Sequence, residues 1–204
     1  MRLRLLLIMA LGLWGNLVLS GNYLLTIDGK PYELDIGEMT TATLQNGQKI
    51  QVKLEKKVIA TFKTEMFSFN HPSGFAPAKT DLGDGVYQTM MATPSGTMVM
   101  IQEYTGLNPC GLIDMVVTEL TKEEVHYGYT ITKRDVSKEL AEGHSVMGKY
   151  VVSKYRKDEY QRNVLCYGAK DAGLVIVTQL DNDTPSEDMA MIDLFWKTLK
   201  ILVK

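Results

Sequence analysis

Short runs of aliphatic, aromatic and β-branched residues alternate with polar turns in the last third of the chain. Three runs, at residues 149–155, 160–169 and 174–180, follow one another and each is long enough for a strand. Because the polar breaks between them are short, the pattern predicts three antiparallel neighbours joined by hairpins. The last run is apolar at consecutive positions, which predicts a strand covered on both faces.

An amphipathic pattern follows the third run. Apolar residues recur at helical spacing over residues 189–199, which predicts a helix with one face on the sheet. Thr184 and Glu187 have the spacing of a capping box, in which each side chain bonds the backbone N–H of the other residue. Pro185 falls at the predicted first helical position, where its missing N–H costs nothing.

Hairpin signals also fill the first half of the chain. Asp28-Gly29 and Asn46-Gly47 each separate two strand-like runs, and Asn-Gly favours a two-residue turn because both residues must take positive φ. Leu112, Val116 and Leu120 predict one further helix. Further strands are predicted at 61–70, 86–92, 97–104 and 129–136.

The order of these elements predicts the fold class and the domain boundaries. We expect a small β-hairpin region over residues 22–57. Residues 58–204 should form an α+β domain, an antiparallel sheet with helices packed on it, because hairpins connect most of its strands.

Residues 1–21 have the pattern of an export signal. Arg2 and Arg4 precede an apolar stretch at 5–13, and residues 18–20 offer a cleavage point, so we expect cleavage after Ser20 or Gly21. The alternative is an uncleaved anchor, but the apolar stretch is shorter than the ~20 residues that span a bilayer. We therefore predict an exported protein, periplasmic or secreted, with no stable membrane span after signal cleavage.

Charge and residue spacing exclude several classes of function. The 204-residue chain has a formal net charge of −2, so it has no general attraction to nucleic acid. His71, His126 and His144 are scattered and lack zinc-site spacing. We predict no metal, no cofactor and no nucleic-acid partner.

The chain has two cysteines, Cys110 and Cys166. An even number of cysteines in an exported chain permits one disulfide. The alternative is two buried free thiols, because the sequence does not give the Cα separation that a disulfide requires.

Gly143-His144-Ser145-Val146-Met147 approaches the motif of a serine-hydrolase nucleophile elbow. The motif needs glycine at its fifth position, where this chain has Met147, and it needs a strand followed by a helix. A strand is predicted after it here. An ordinary turn therefore explains the segment better, and we predict no catalytic residue.

Methionines are concentrated around one predicted hairpin and the first helix. Such side chains can form an adaptable binding surface, but they can equally fill an adaptable core between sheet and helix. Both interpretations stay open at this stage. The binding-surface candidates are Met90, Met98, Met100 and Met115.

One short motif and the element order resemble the PsbP-like superfamily. A Phe-x-Phe strand, Phe67-Ser68-Phe69, runs into the turn Pro72-Ser73-Gly74-Phe75, and the C-terminal helix ends in Trp196-Lys197-Thr198-Leu199. The resemblance covers roughly residues 58–204. It implies an α/β/α sandwich that binds proteins and carries out no catalysis, and it assigns no catalytic residue.

These observations lead to three hypotheses about function. The first is an exported, non-enzymatic envelope protein that acts through an envelope or secreted protein partner. The second is a carrier of a small ligand or lipid, with methionine and aromatic side chains lining a cleft. The third, and weakest, is a hydrolase with Ser145 as its nucleophile.

Overall fold

The structure, a computed structural model, describes residues 23–203. The chain divides into two compact units, one ending at Lys56 and the other beginning at Lys57. Strands take up 54% of the structure and helices 17%. No helix among the described residues is both long and apolar enough to cross a bilayer.

The first unit consists of two hairpins. Strands β1 (Tyr23–Ile27) and β2 (Lys30–Leu34) form one, and β3 (Met39–Thr43) and β4 (Lys49–Lys53) form the other. A short parallel bridge between Ile36 and Leu54 links them. The hydroxyl of Tyr32 donates to the carbonyl of Thr43, whose N–H donates back over 3.1 Å.

The second unit contains ten strands and two α-helices within its described residues. The helices are α1 (Ile113–His126), which follows a short 3₁₀ turn at Pro109–Leu112, and α2 (Ser186–Thr198). The strands are β5 (Ile59–Lys63), β6 (Phe67–Pro72), β7 (Ala78–Gly83), β8 (Val86–Ala92), β9 (Met98–Thr105), β10 (Thr130–Glu139), β11 (Ser145–Tyr155), β12 (Asp158–Gly168), β13 (Ala172–Asp181) and β14 (Lys200–Ile201).

Seven of these strands form one antiparallel sheet in the order β10-β11-β12-β13-β9-β8-β7. The three sequential strands predicted from the C-terminal pattern are indeed neighbours. Strand β13 lies at the centre of the sheet. Strands β14, β6 and β5 form a second, three-stranded sheet.

The large sheet is covered on both faces. One face packs against α2 and the three-stranded sheet, and its apolar cluster includes Ile176, Phe69 and Phe195. The other face packs against α1, with Val177 and Val117 in its cluster. Successive residues of β13 thus enter opposite clusters, which confirms the prediction of a strand buried on both faces.

The predicted α+β class, with the α/β/α sandwich that the family resemblance implies, is wrong. The described chain is mainly antiparallel β, with only two α-helices. Most connections are tight turns with no room for a helix. In addition, the three-stranded sheet shares with α2 the face that a helical layer would occupy.

Candidate functional site

A concave surface lies between helix α1 and strand β10. We call it the α1–β10 groove. On the helix side it is bounded by Asp114, Thr118 and Lys122, and on the strand side by alternate residues of β10 that share the sheet face carrying α1. Those alternate residues are Ile131, Lys133, Asp135 and Ser137.

One end of the groove widens into a cleft of about 660 Å³ beside the disulfide. The 3₁₀ turn and the start of α1 form its wall, and β10, β11 and β12 form its floor. Met147 is 60% exposed there. The lining residues are Cys110, Gly111, Ile113, Asp114, Asp135, Val136, Ser137, Met147, Gly148, Lys149 and Cys166.

The other end of the groove holds a smaller cavity of about 270 Å³. Its apolar lining comes from Val125 on the helix and Ile131 on the strand, and Lys133 is at its strand side. The remaining lining residues are Thr118, Thr121 and Lys122. Because Ile131 and Ser137 contribute to opposite ends, the strand runs the whole length of the groove.

A disulfide between Cys110 and Cys166 joins the 3₁₀ turn before α1 to strand β12. The two Cα atoms are 5.3 Å apart. The sequence left a disulfide and two free thiols open, and the structure contains the disulfide. It fixes the N-terminal end of the helical wall to the floor of the groove.

A partly buried ion pair holds the C-terminal end of the same helix. Glu124 of α1 accepts two hydrogen bonds from the guanidinium of Arg162 on β12, one of them 2.9 Å long. The Arg162 Nε also donates to Gln179 over 2.6 Å, so the buried charge is well satisfied. Helix α1 is therefore fixed at both ends, which preorganises the groove.

The floor of the cleft carries a cross-strand ion pair. Lys149 Nζ lies 2.6 Å from Asp135 Oδ1, and the two residues are directly opposite each other on β11 and β10. The hydrogen bond and the charge of Asp135 raise the pKa of Lys149 above its ordinary value. Asp135 is thus already neutralised within the chain.

The two edges of the large sheet differ. Strand β10 pairs only with β11 among the described residues, and it runs for ten residues in unbroken register. Strand β7, at the opposite edge, is six residues long and has an irregular register between Asp81 and Gly83. A bulge of this kind discourages pairing, so β10 is the edge that is open to another strand.

The outer edge of β10 carries an excess of positive charge. Lys133, Arg134 and Lys138 have no carboxylate partner among residues 23–203; Arg134 stacks on Tyr150 at 4.4 Å and Lys138 lies over Trp196 at 5.0 Å. Glu139 is the remaining acid of the strand once Asp135 is paired with Lys149. The edge is therefore basic overall.

The methionines that the sequence singled out do not form one surface. Met90 and Met100 are cross-strand neighbours on β8 and β9, and Met98 lies on the same face of β9. Met100 is buried in the cluster under α1, whereas Met90 is 43% exposed. Met115 is exposed on α1.

Ser145 lies at the start of strand β11, after a turn that follows β10. A nucleophile elbow instead places its serine between a strand and a helix. The neighbouring His144 packs its ring edge-on against Tyr167. Among the described residues, no three histidine, cysteine, aspartate or glutamate side chains are close enough to hold a metal ion.

The α1–β10 groove was not predicted from the sequence. The available signal was the segment TITKRDVSKE of β10, because charged residues on a strand are typical of a sheet edge. The hydrophobic pattern alone does not reveal which strand lies at the edge of the sheet, since the edge position depends on the order of the strands in space.

Comparison with known proteins adds little to this description. No protein-family profile and no curated protein matches the chain. A crystal structure of a protein from Bacteroides thetaiotaomicron matches with 12% sequence identity and a TM-score of 0.33. The match covers 69% of this chain and only 47% of that protein. It carries no argument about fold or function, and the resemblance to the PsbP-like superfamily stays a prediction.

Proposed function

We propose that this protein is an exported, non-enzymatic protein that acts by binding another protein. The single observation that carries the proposal is the ten-residue edge strand β10, which has no strand partner on its outer side among the described residues. Such an edge presents a row of N–H and C=O groups that another chain can pair with.

The groove beside this edge supports the same function. Pairing with a sheet edge supplies affinity, and adjoining cavities for alternate side chains supply specificity. The α1–β10 groove offers a cavity at each end, and helix α1 is fixed by a disulfide and an ion pair. A preorganised site loses less conformational entropy on binding.

The disulfide supports the proposed location. Disulfides form and persist in secreted and periplasmic proteins and are rare in reducing compartments. A bond between Cys110 and Cys166 accords with the predicted export signal at residues 1–21, which lies outside the described residues.

A second candidate function is a carrier of a small ligand. The observation that favours it is the cleft of about 660 Å³ beside the disulfide, which lies within the usual range of about 300–1,000 Å³ for small-molecule sites. Ile113 and Met147 give it an apolar lining.

Crosslinking in the native envelope fraction separates the two functions. The full protein is crosslinked, purified, and examined by mass spectrometry for proteins and for small molecules. We expect one protein partner in stoichiometric amount. A monomer that retains a small molecule contradicts the protein-binding function and favours the carrier. Turnover of a substrate that is lost on Ser145→Ala contradicts both.

A further inference from the structure

We infer that β10 accepts an extended, acidic segment of the partner protein, which adds to the large sheet as an eighth strand. The inference rests on the proposed protein-binding function and names the partner's chemistry and its place of binding. The backbone of β10 is suited to this role, because β10 is a long edge strand in regular register with no pairing on its outer side among residues 23–203.

The positive charge along β10 determines the sign of the charge that we expect on the partner's strand. Lys133, Arg134 and Lys138 stand without carboxylate partners in the described chain, while Asp135 is paired with Lys149. Opposite charges on facing strands are stabilising and like charges are destabilising. An added strand that carries carboxylates is therefore favoured over a basic one.

The same charges disfavour a second copy of this chain as the occupant. A two-fold pairing of β10 with itself sets residues of the same sheet face opposite each other. Centred on Lys133, Arg134 or Asp135, it would place that charge opposite its own copy. Centred on Val136, it would place Arg134 opposite Lys138. Each central register thus contains a like-charge pair. The register centred on Arg134 also sets Lys133 opposite Asp135, but that contact competes with the ion pair that Asp135 already makes with Lys149.

The two cavities of the α1–β10 groove determine the spacing of apolar residues in the partner. The strand contributes Ile131 and Lys133 to one cavity and Asp135 and Ser137 to the other. Residues directly opposite each other on paired strands point to the same sheet face, so the residues of an added strand that lie opposite Ile131 and Asp135 face the groove. These two positions are four residues apart, or about 13 Å at about 3.3 Å per residue, and Lys133 lies between them. Apolar side chains at positions i and i+4 of the added strand therefore reach the two cavities. An acidic residue at i+2 faces the groove between them, near Lys133.

A synthetic peptide with this pattern tests the inference on the full protein. The probe is the fluorescein-labelled octapeptide TVTETVTS, and the control is its scramble TTVVETTS, in which the valines are adjacent. Binding is followed by fluorescence anisotropy, and backbone pairing is followed by amide hydrogen exchange. We expect TVTETVTS to bind more tightly than the scramble and to slow exchange in β10 but not in β7.

Charge reversal supplies the matched variants. Lys133→Glu should weaken binding of TVTETVTS about tenfold, the size of one lost charge-assisted contact. Lys170→Glu makes the same change in an exposed turn away from β10, and it should leave binding unchanged. Equal affinity of the two variants, or exchange protection in β7 in place of β10, would overturn the inference.

The same two variants separate this inference from the proposed function. If the envelope partner is captured equally by Lys133→Glu and Lys170→Glu, and TVTETVTS does not bind, the β10 inference fails and the protein-binding function stands. If neither variant nor the unmodified protein captures a partner, the proposed function itself fails. Capture by Lys170→Glu but not by Lys133→Glu supports both.

Discussion

At the scale of single residues, backbone geometry and hydrogen bonding overturn two local predictions. Asn46-Gly47 was expected to form a turn with positive φ at both residues, but only Gly47 has it. Asp28-Gly29 does form a turn of that kind, with φ of 51° and 78°. Both dipeptides fit the sequence signal equally well, and the length of the connection decides which turn forms.

The capping box predicted at the start of the last helix is also wrong. The Thr184 hydroxyl bonds the backbone of Asp181, accepting from its N–H over 2.9 Å and donating to its carbonyl over 2.8 Å. Pro185 precedes the helix, which begins at Ser186. A threonine hydroxyl can hydrogen-bond backbone groups before or after it in the chain. Here it bonds Asp181 in the tight turn after β13 and not the backbone at the start of the helix.

Strands β11 and β12 approach each other closely at Gly148, beneath the α1–β10 groove. A Cβ atom at this position would lie 2.2 Å from the Val164 carbonyl oxygen, which is backbone and has little freedom to move. We predict that Gly148→Ala lowers the free energy of unfolding by roughly 1–3 kcal/mol. Urea denaturation measures the change.

Gly74→Ala is the matched control for this substitution, because a Cβ atom there meets nothing within 4 Å. Its unfolding midpoint should stay close to that of the unmodified protein. Equal stability of the two variants would contradict the close approach at Gly148.

Asp188 makes the stability of the fold depend on pH. Burial by itself would raise the pKa of this carboxyl group, but hydrogen bonds from Ser95 and Thr93 outweigh burial and lower the pKa below its ordinary value. A lowered pKa in the folded state stabilises the protein above the unfolded pKa of about 3.9. That stabilisation is lost as the pH falls through the folded pKa.

Asp188→Asn tests this dependence. The variant should be less stable than the unmodified protein at pH 7. The difference should shrink as the pH falls below the unfolded pKa of about 3.9 and toward the lower pKa of the folded state, where the buried carboxyl group becomes protonated. Urea unfolding at pH 7 and at pH 3 gives the two differences. A difference that is the same at both pH values would show that the ionised carboxylate is not responsible.

At the scale of elements, the sequence predicts strands more accurately than their positions in the sheet. The three C-terminal strands and the helix after them were predicted because their runs are long and their breaks are short. Strand β7 was not predicted, because its residues are all exposed and have no apolar alternation. The edge position of β10 depends on long-range order, which is why the groove was not anticipated.

The disulfide between Cys110 and Cys166 is the covalent bond that fixes the start of helix α1 beside the groove. It joins residues separated by 56 positions, and in the chain-entropy model a loop of this size stabilises the folded state by about 4 kcal/mol. We predict that the double variant Cys110→Ser/Cys166→Ser loses about that much, within the range of 2–5 kcal/mol. Denaturation of the oxidised protein and of the double variant measures the loss, and coincident unfolding curves would contradict it.

At the scale of the whole molecule, each apolar cluster of the second unit is formed entirely by residues that follow Lys57. From the sequence, a joint is predicted at the charged segment Glu55-Lys56-Lys57, between two strand-like runs. The sequence did not reveal the strand order or the sharing of one sheet face by a helix and a second sheet. Those features arise from packing between distant segments.

A fragment of residues 57–204 should therefore fold without the first unit. We predict a single cooperative unfolding transition by circular dichroism, because both clusters and the disulfide are retained. A fragment that lacks β14, residues 57–199, removes buried Ile201 from the larger cluster and should be less stable. An unfolded 57–204 fragment would show that the cores require the rest of the chain.

The central claim is that a protein partner binds along β10, and site-specific photocrosslinking in the native envelope tests it most directly. A photoreactive phenylalanine analogue is placed at Ser137 on β10 or at Thr80 on β7. Both positions are exposed hydroxyl residues on the same sheet face, at opposite edges. We predict an adduct with one protein from position 137 and little from position 80. Adducts mainly from position 80, or none from position 137 while the partner still co-purifies, would contradict the account.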